Sequence, residues 1–310
     1  MVSSFSRKGL LTLALMLVLV LAGCGAKSGG SIVEGKVNVV TTFYPIYEFT
    51  QEIGGPDIHV INLLPVGVEP HDWTPRSQDI INTSKAQLFL YNGAGLEGWV
   101  PNFLKGLESG SKVQAVEVSH GVDYIMIDEA TDNNDSLHTD PHTWVSPKSA
   151  LIMAANIKDS LQTVDPEHKS GYKQRYNELV AKLQALDNKF QTELAKLPNH
   201  EIVVSHQAFA YLARDYGLTQ HAIMGLSADA EPRGQDIVAL TDLVKKKGIK
   251  YIFFEELVSD KMAKTLAAEA GVSTMVLNPV EGLTQKQEKN GDNYFTLMEK
   301  NLQNLILALQ

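Results

Sequence analysis

The strongest constraint on the fold is a regular series of short apolar runs, which occurs in two separate sets along the chain. The runs are rich in β-branched and aliphatic residues and are bounded by Gly, Pro or Asn, as is typical of strands in a parallel sheet. Helix-length segments separate several of the runs, so the pattern predicts two α/β lobes with mostly parallel sheets. The first set covers 37–43, 58–64, 86–91 and 112–118, and the second covers 201–205, 220–224, 251–255 and 273–277.

A long helix is predicted between the two sets, over residues 165–198. Asp165 is placed to cap it, Pro166 suits the first helical position, and Pro198 ends it. Apolar residues recur every three to four positions, which predicts about 32 helical residues spanning roughly 48 Å. We interpret this helix as a rigid connection between the lobes, although the same stripe would also serve a free coiled coil. The stripe consists of Tyr172, Tyr176, Leu179, Leu183, Leu186, Phe190, Leu194 and Leu197.

The N-terminal segment is typical of a lipoprotein signal peptide. Arg7 and Lys8 precede an apolar run of 14 residues at 9–22, which is short for a membrane span but suits a secretory signal. The run ends in Leu-Ala-Gly-Cys, an arrangement that resembles a bacterial lipobox with Cys24 as the acylated residue. The alternative is an ordinary signal peptide with a chance cysteine. We therefore expect a signal peptide at 1–23 and an anchor of two acyl chains on Cys24.

These features predict the following organisation of the chain. A small, polar tether occupies 24–34, an N-terminal lobe 35–164, the linking helix 165–198 and a C-terminal lobe 199–310. The composition is 44% hydrophobic, which is enough for a sizeable core. A net charge of -9 argues against a general nucleic-acid binder, because such proteins neutralise phosphates with basic residues.

Two of the three tryptophans lie in the same local pattern, Pro-His-x-Trp, at residues 70–73 and 141–144. With 12 prolines and 9 histidines in 310 residues, this arrangement is expected by chance at about one tryptophan in a thousand. Proline restrains each turn, and a metal-binding imidazole must be held at a fixed angle. His71 and His142 are therefore candidate metal ligands, although each alone would more often be a surface residue.

Two further candidates follow strands of the second set. His206 comes directly after the run 201–205, at the strand end where ligands gather in parallel sheets. Glu281 follows the run 273–277 and a short turn, although a glutamate there would also suit a helix start. Three imidazoles and one carboxylate suit a borderline divalent ion, with Zn²⁺ ahead of Mn²⁺. A shell filled by four protein ligands predicts binding and release rather than catalysis.

Other polar residues are secondary candidates. Glu255 and Glu256 end a strand candidate, so one of them is expected to orient a ligand histidine through a hydrogen bond. His120 and His138 lie beside or within the acidic segment 123–140, which we expect to be a loop, and they are candidates for transient metal capture.

Taken together, the chain resembles the zinc and manganese solute-binding lipoproteins of bacterial ABC transporters, of the ZnuA and AdcA type. The resemblance covers essentially the whole mature chain, from VVTTFYP at 39–45 through both Pro-His-x-Trp turns to NPVEGLT at 278–284. It implies two α/β lobes bridged by one long helix, with the metal between them. The family's ligand positions match His71, His142, His206 and Glu281. Manganese-type members carry a carboxylate where this chain has His206, which favours zinc.

The resemblance further implies a function. It predicts a non-enzymatic, monomeric protein that is held by lipid at the outer face of the cell membrane. There it would capture Zn²⁺ and deliver it to an ABC permease and its ATPase. The loop before His142 is short and mostly acidic, whereas many zinc-type members have a long, histidine-rich loop there. Two alternatives remain from the sequence, namely a zinc hydrolase on this scaffold and a surface adhesin with a structural metal.

Overall fold

The computed structural model describes residues 30–127, 138–228 and 234–310. The predicted signal peptide and Cys24 lie outside these residues. Within the described part of the chain, no helix has both the length and the apolar character needed to cross a membrane.

The N-terminal lobe is built on a parallel four-stranded sheet in the order β2-β1-β3-β4. Its core contains aliphatic residues from the strands and from the helices that cover both faces. The strands are β1 (Val37–Thr41), β2 (Ile58–Asn62), β3 (Leu88–Tyr91) and β4 (Gln114–Glu117). The helices are α1 (Tyr44–Gly54), α2 (Ser77–Lys85) and α3 (Val100–Lys105).

The C-terminal lobe repeats the same topology, with a parallel sheet in the order β6-β5-β7-β8. The strands are β5 (Glu201–Val204), β6 (Thr219–Ala222), β7 (Tyr251–Phe254) and β8 (Ser273–Val276). The helices are α6 (Ala210–Tyr216), α7 (Gly234–Lys247), α8 (Lys261–Ala270), α9 (Gln285–Asn290) and α10 (Tyr294–Leu309). The predicted fold class, two α/β lobes with parallel sheets, is therefore confirmed.

The predicted linking helix is present, and a second helix packs along it. Helix α4 (Pro147–Val164) begins at Ser146, whose hydroxyl accepts a hydrogen bond from the Lys148 amide, and it packs along α5 (Lys169–Leu194). Helix α5 has 26 residues and is shorter than predicted at both ends. Asp165 does not cap it, because its carboxylate instead accepts hydrogen bonds from Tyr172 Oη at 2.5 Å and His168 Nδ1 at 2.8 Å.

The segment between α4 and α5, Pro166–His168, is a short 3₁₀ turn. Six of the eight residues of the predicted stripe are buried on α5, in the main core against α1, α4 and α10. Tyr176 is half-buried, and Leu197 lies beyond the end of the helix. Because this stripe faces the protein's own core, the free coiled-coil alternative is wrong.

Candidate metal centre

His142 is held by a network of buried groups around its turn. Asn92, directly after β3, donates its amide to the Pro141 carbonyl at 2.8 Å and accepts a hydrogen bond from Thr143 Oγ1 at 3.1 Å. The Asp140 carboxylate accepts hydrogen bonds from both the backbone N–H and the Nδ1 of His142, each at 2.9 Å. With Nδ1 engaged in this way, His142 presents Nε2 to the cleft between the lobes.

His71 lies in the segment between β2 and α2 and follows Pro70. Its backbone N–H donates to the carboxylate of Glu69, at 3.0 and 3.1 Å from the two oxygens. Its side chain is 5% exposed, so the imidazole is almost fully removed from solvent.

His206 and Glu255 follow the two central strands of the C-terminal sheet, β5 and β7. The carboxyl ends of parallel strands meet at one edge of a sheet, and the strand order changes direction between these two strands. Glu255 Oε1 therefore reaches His206 Nδ1 at 2.6 Å, and it also accepts a hydrogen bond from Ser205 Oγ. Both side chains are buried, and His206 presents Nε2 to the cleft.

Glu281 follows β8 and a turn in which Val280 has a φ of 59°. This left-handed conformation is rare for a β-branched residue. The amide of Val280 is held by Asn278 Oδ1 at 2.7 Å, and Glu281 is buried at 1% exposure. Glu281 Oε1 has no hydrogen-bond partner among the described residues.

The four side chains converge on one point between the lobes, with their ligand atoms all within 4.8 Å of one another. His142 Nε2 lies 3.1 Å from His71 Nε2 and 3.2 Å from His206 Nε2. Glu281 Oε1 lies 3.4 Å from the Nε2 atom of His142 and 3.7 Å from those of His71 and His206. Four donors in a tetrahedral zinc shell are roughly 3.3 Å apart, so this spacing fits a zinc site.

Charge interactions dominate the titration of these groups. Burial alone would lower the pKa of His142, but the carboxylates of Asp140 and Glu281 outweigh it and raise this pKa to about 10. For His206, burial is likewise outweighed by Glu255 and Glu281, so its pKa is also raised. Burial would raise the pKa of Glu281, but the three surrounding imidazoles hold it well below its usual range. The buried carboxylates thus favour the protonated form of His142 and of His206.

The remaining predicted residues lie outside this cluster. Glu256 is exposed, and it accepts hydrogen bonds from Asn278 Nδ2 at 3.0 Å and Gln287 Nε2 at 2.5 Å, so it contacts no ligand histidine. Of the two glutamates, Glu255 is the one that contacts a candidate ligand histidine, His206. His120 and His138 are exposed and do not belong to the cluster of four, so their role in metal capture stays a prediction.

Sequence reasoning missed Asp140 and Asn92 as partners of His142. In the sequence, Asp140 stands at the end of an acidic segment, although a carboxylate two residues before a candidate ligand histidine in a proline turn is a signal for such a partner. Asn92 carried no local signal, because it lies 49 residues from the carbonyl it contacts.

The fold and the cluster together define a two-lobed α/β protein whose cleft holds three histidines and one glutamate at spacings that fit a zinc ion. Residues 39–308 match the family model for ZnuA, described as the periplasmic component A of a zinc-uptake complex, and the chain belongs to this family.

Two named relatives are similar to this chain over most of its length. It is 41% identical over 292 residues to the zinc-binding protein AdcA of Streptococcus pyogenes serotype M1, covering 89% of this chain and 57% of AdcA. The chain thus spans little more than half the length of that relative. It is 40% identical over 304 residues to the high-affinity zinc uptake system protein ZnuA of Bacillus subtilis strain 168, covering 95% of both.

Solved structures agree with this assignment. The Zn(II)-bound ZnuA-like domain of Streptococcus pneumoniae AdcA is 40% identical, with a TM-score of 0.76 over 89% of this chain and 99% of that domain. The laminin-binding protein Lmb of Streptococcus agalactiae, described as having adhesin and metal-transporting activity, is 30% identical. Its TM-score is 0.79, over 89% of this chain and all of Lmb.

Proposed function

We propose that this protein captures Zn²⁺ outside the cytoplasm and delivers it to an ABC permease for import. The observation that carries the proposal is the convergence of His71, His142, His206 and Glu281 at spacings that suit tetrahedral zinc. The relatives named for zinc binding and zinc uptake support the same cargo.

A closed shell favours binding over catalysis. A hydrolytic zinc site keeps one position for water and places a general base beside it. Here Glu281 Oε1 completes a set of four donors around one point, which leaves that position filled by protein. We infer a carrier in which small shifts of one or two ligands release the ion.

The experiment is zinc titration of the purified mature protein against a competing chromophoric chelator. We expect one Zn²⁺ per chain, and for His206→Ala and Glu281→Ala a loss of affinity of about a hundredfold or more, since outer partners of ligands alone are worth ten- to hundredfold. His221→Ala is the matched control, because His221 lies on the neighbouring strand β6 and is paired with Glu201 at 2.6 Å. Unchanged affinity in the cluster variants, or equal loss in the control, would refute the site.

Delivery requires that the protein stay near the permease, and acylation of Cys24 would hold it at the membrane. Membrane fractionation of cells expressing Cys24→Ser tests this, since the substituted protein should leave the membrane fraction.

An adhesive role is the second candidate, because of the likeness to Lmb. It predicts saturable binding of the zinc-loaded protein to immobilised laminin, and the absence of such binding would remove this candidate while leaving zinc capture intact.

A further inference from the structure

The indole of Trp144 joins the two lobes beside the four candidate metal ligands. Trp144 is fully buried in the short turn Thr143–Val145, and its ring packs edge-on against Phe43 with 4.6 Å between centroids. Its Nε1 donates to the carbonyl of Pro279 at 2.7 Å, across 135 residues of sequence. Trp144 lies two residues after His142, and Pro279 lies two residues before Glu281. One hydrogen bond therefore connects the turns that carry a ligand from each lobe.

The turn at 278–280, which receives this hydrogen bond, has a backbone conformation that its own residues do not favour. Val280 is fully buried with a φ of 59°, a conformation that a β-branched residue keeps only where its surroundings impose it. Asn278 Oδ1 accepts from the Val280 amide, and Asn301 of α10 holds the backbone of Asn278 from both sides, at 2.8 and 2.6 Å. These contacts all come from the C-terminal lobe, so Trp144 supplies the restraint from the opposite lobe.

Trp144 is itself fixed on the other side. The hydroxyl of Tyr294 donates to the Trp144 carbonyl at 2.7 Å. The backbone N–H of Tyr294 donates to the carboxylate of Glu48 on α1, at 2.9 and 3.1 Å. The indole therefore belongs to a chain of buried hydrogen bonds from α1 through the start of α10 to the Glu281 turn.

We propose that Trp144 is a positioning residue that holds the Glu281 carboxylate at ligand distance from the three imidazoles by its hydrogen bond to Pro279. The proposal rests on the zinc-binding function proposed above. It also distinguishes the two Pro-His-x-Trp turns, which look equivalent in sequence. Trp73 is only partly buried and packs edge-on against Trp99 of its own lobe, at 5.7 Å between centroids.

The test is a double-mutant cycle on the full mature chain, with zinc affinity as the first readout. Trp144→Phe retains an aromatic ring against Phe43 and removes the indole donor. We expect it to weaken zinc binding by about ten- to hundredfold, the range found for partners that orient metal ligands. In a Glu281→Ala background the same substitution should change affinity by about twofold or less, because the carboxylate it positions is gone. Trp73→Phe is the matched control and should leave affinity unchanged.

The second readout is the visible absorption of the Co²⁺-loaded protein, which reports the donor atoms and geometry around the ion. The spectrum of Trp144→Phe should move towards that of Glu281→Ala, whereas a change confined to general packing would leave the wild-type spectrum. The proposal is overturned if Trp144→Phe lowers zinc affinity equally in the wild-type and Glu281→Ala backgrounds. It is also overturned if Trp144→Phe leaves zinc affinity unchanged, or if Trp73→Phe lowers it by the same factor.

A different result would show that the proposed zinc-binding function itself is wrong. If Glu281→Ala binds zinc as tightly as the wild type, then Glu281 is no ligand and both proposals fail together. If Trp144→Phe does not fold, the same cycle is run with Tyr294→Phe, which removes the hydroxyl that holds the Trp144 carbonyl. If Tyr294→Phe lowers zinc affinity on the order of tenfold, and does not do so in the Glu281→Ala background, the proposal is supported. Unchanged zinc affinity in Tyr294→Phe overturns it.

Discussion

Two of the three clustered imidazoles are paired with a buried carboxylate on the side away from the cleft. Asp140 accepts from His142 Nδ1 and Glu255 from His206 Nδ1, and both acids are buried. Such a partner fixes the tautomer, so that Nε2 carries the lone pair, and it makes the imidazole a better donor to the ion. With these two acids, six residues rather than four set the chemistry of the proposed site.

Glu255→Gln should weaken zinc binding by about ten- to hundredfold, because a neutral amide supports His206 less well than a carboxylate does. Chelator competition measures the effect. Glu269→Gln, at an exposed position on α8 of the same lobe, is the control and should bind as the wild type does. A variant at 255 with wild-type affinity would show that the 2.6 Å contact to His206 does not tune the ligand.

At the scale of elements, α5 owes its position to one apolar stripe. Tyr172, Leu179, Leu183, Leu186, Phe190 and Leu194 are buried along it. The periodicity predicted this stripe because spacing of three to four residues is a local property of a helix. The helix ends were less predictable, because the Asp165 carboxylate can accept hydrogen bonds from several groups. It accepts them from Tyr172 and His168 instead of capping the helix. The pairing with α4 depended on contacts that no local pattern encodes.

Leu183→Ala should lower the free energy of unfolding by about 2 to 5 kcal/mol, because Leu183 is fully buried and its removal leaves a cavity in the main core. Urea unfolding of the zinc-free protein measures this. Lys173→Ala lies at an exposed position of the same helix and should change stability by less than about 0.5 kcal/mol. Similar values for the two variants would mean that the stripe does not anchor α5.

At the scale of the whole molecule, each lobe contributes half of the ligand set. His71 and His142 precede α5 in the chain, and His206 and Glu281 follow it, so an ion at the cluster would bridge both lobes. A ligand that binds only the folded state stabilises it by mass action, by about 2.7 kcal/mol at a free concentration one hundred times its dissociation constant. Zinc is therefore expected to stabilise both lobes together.

This stabilisation should grow with pH. The pKa of His142 is raised from 6.5 to about 10, so its contribution to the stability of the zinc-free protein is complete below about pH 6.5 and is lost as pH rises towards 10. Zinc must displace this proton in order to bind His142, so protons compete less strongly with zinc as pH rises over the same interval. Thermal unfolding with and without zinc, at about pH 7 and about pH 8.5, should show a larger zinc effect at the higher pH.

Glu97 should contribute little to the difference between about pH 7 and about pH 8.5. Burial raises the pKa of Glu97 only to about 6, so this carboxyl group has largely lost its proton by pH 7. The His206→Ala variant, which lacks one ligand, should show a much smaller zinc effect at both pH values. A zinc effect that is independent of pH in the wild type would contradict proton displacement from His142.

The sequence by itself determined the strands, the apolar stripe of α5 and the identity of four candidate ligands, because these depend on local periodicity and on restrained turns. Only the tertiary structure decided which groups support those ligands. Trp144 meets Pro279 across 135 residues, Asn92 meets Pro141 across 49, and Glu255 meets His206 across 49. The first contact crosses between the lobes, so its distance depends on how the lobes pack. The other two lie within one lobe each, and they depend on which strand ends the sheet of that lobe brings together.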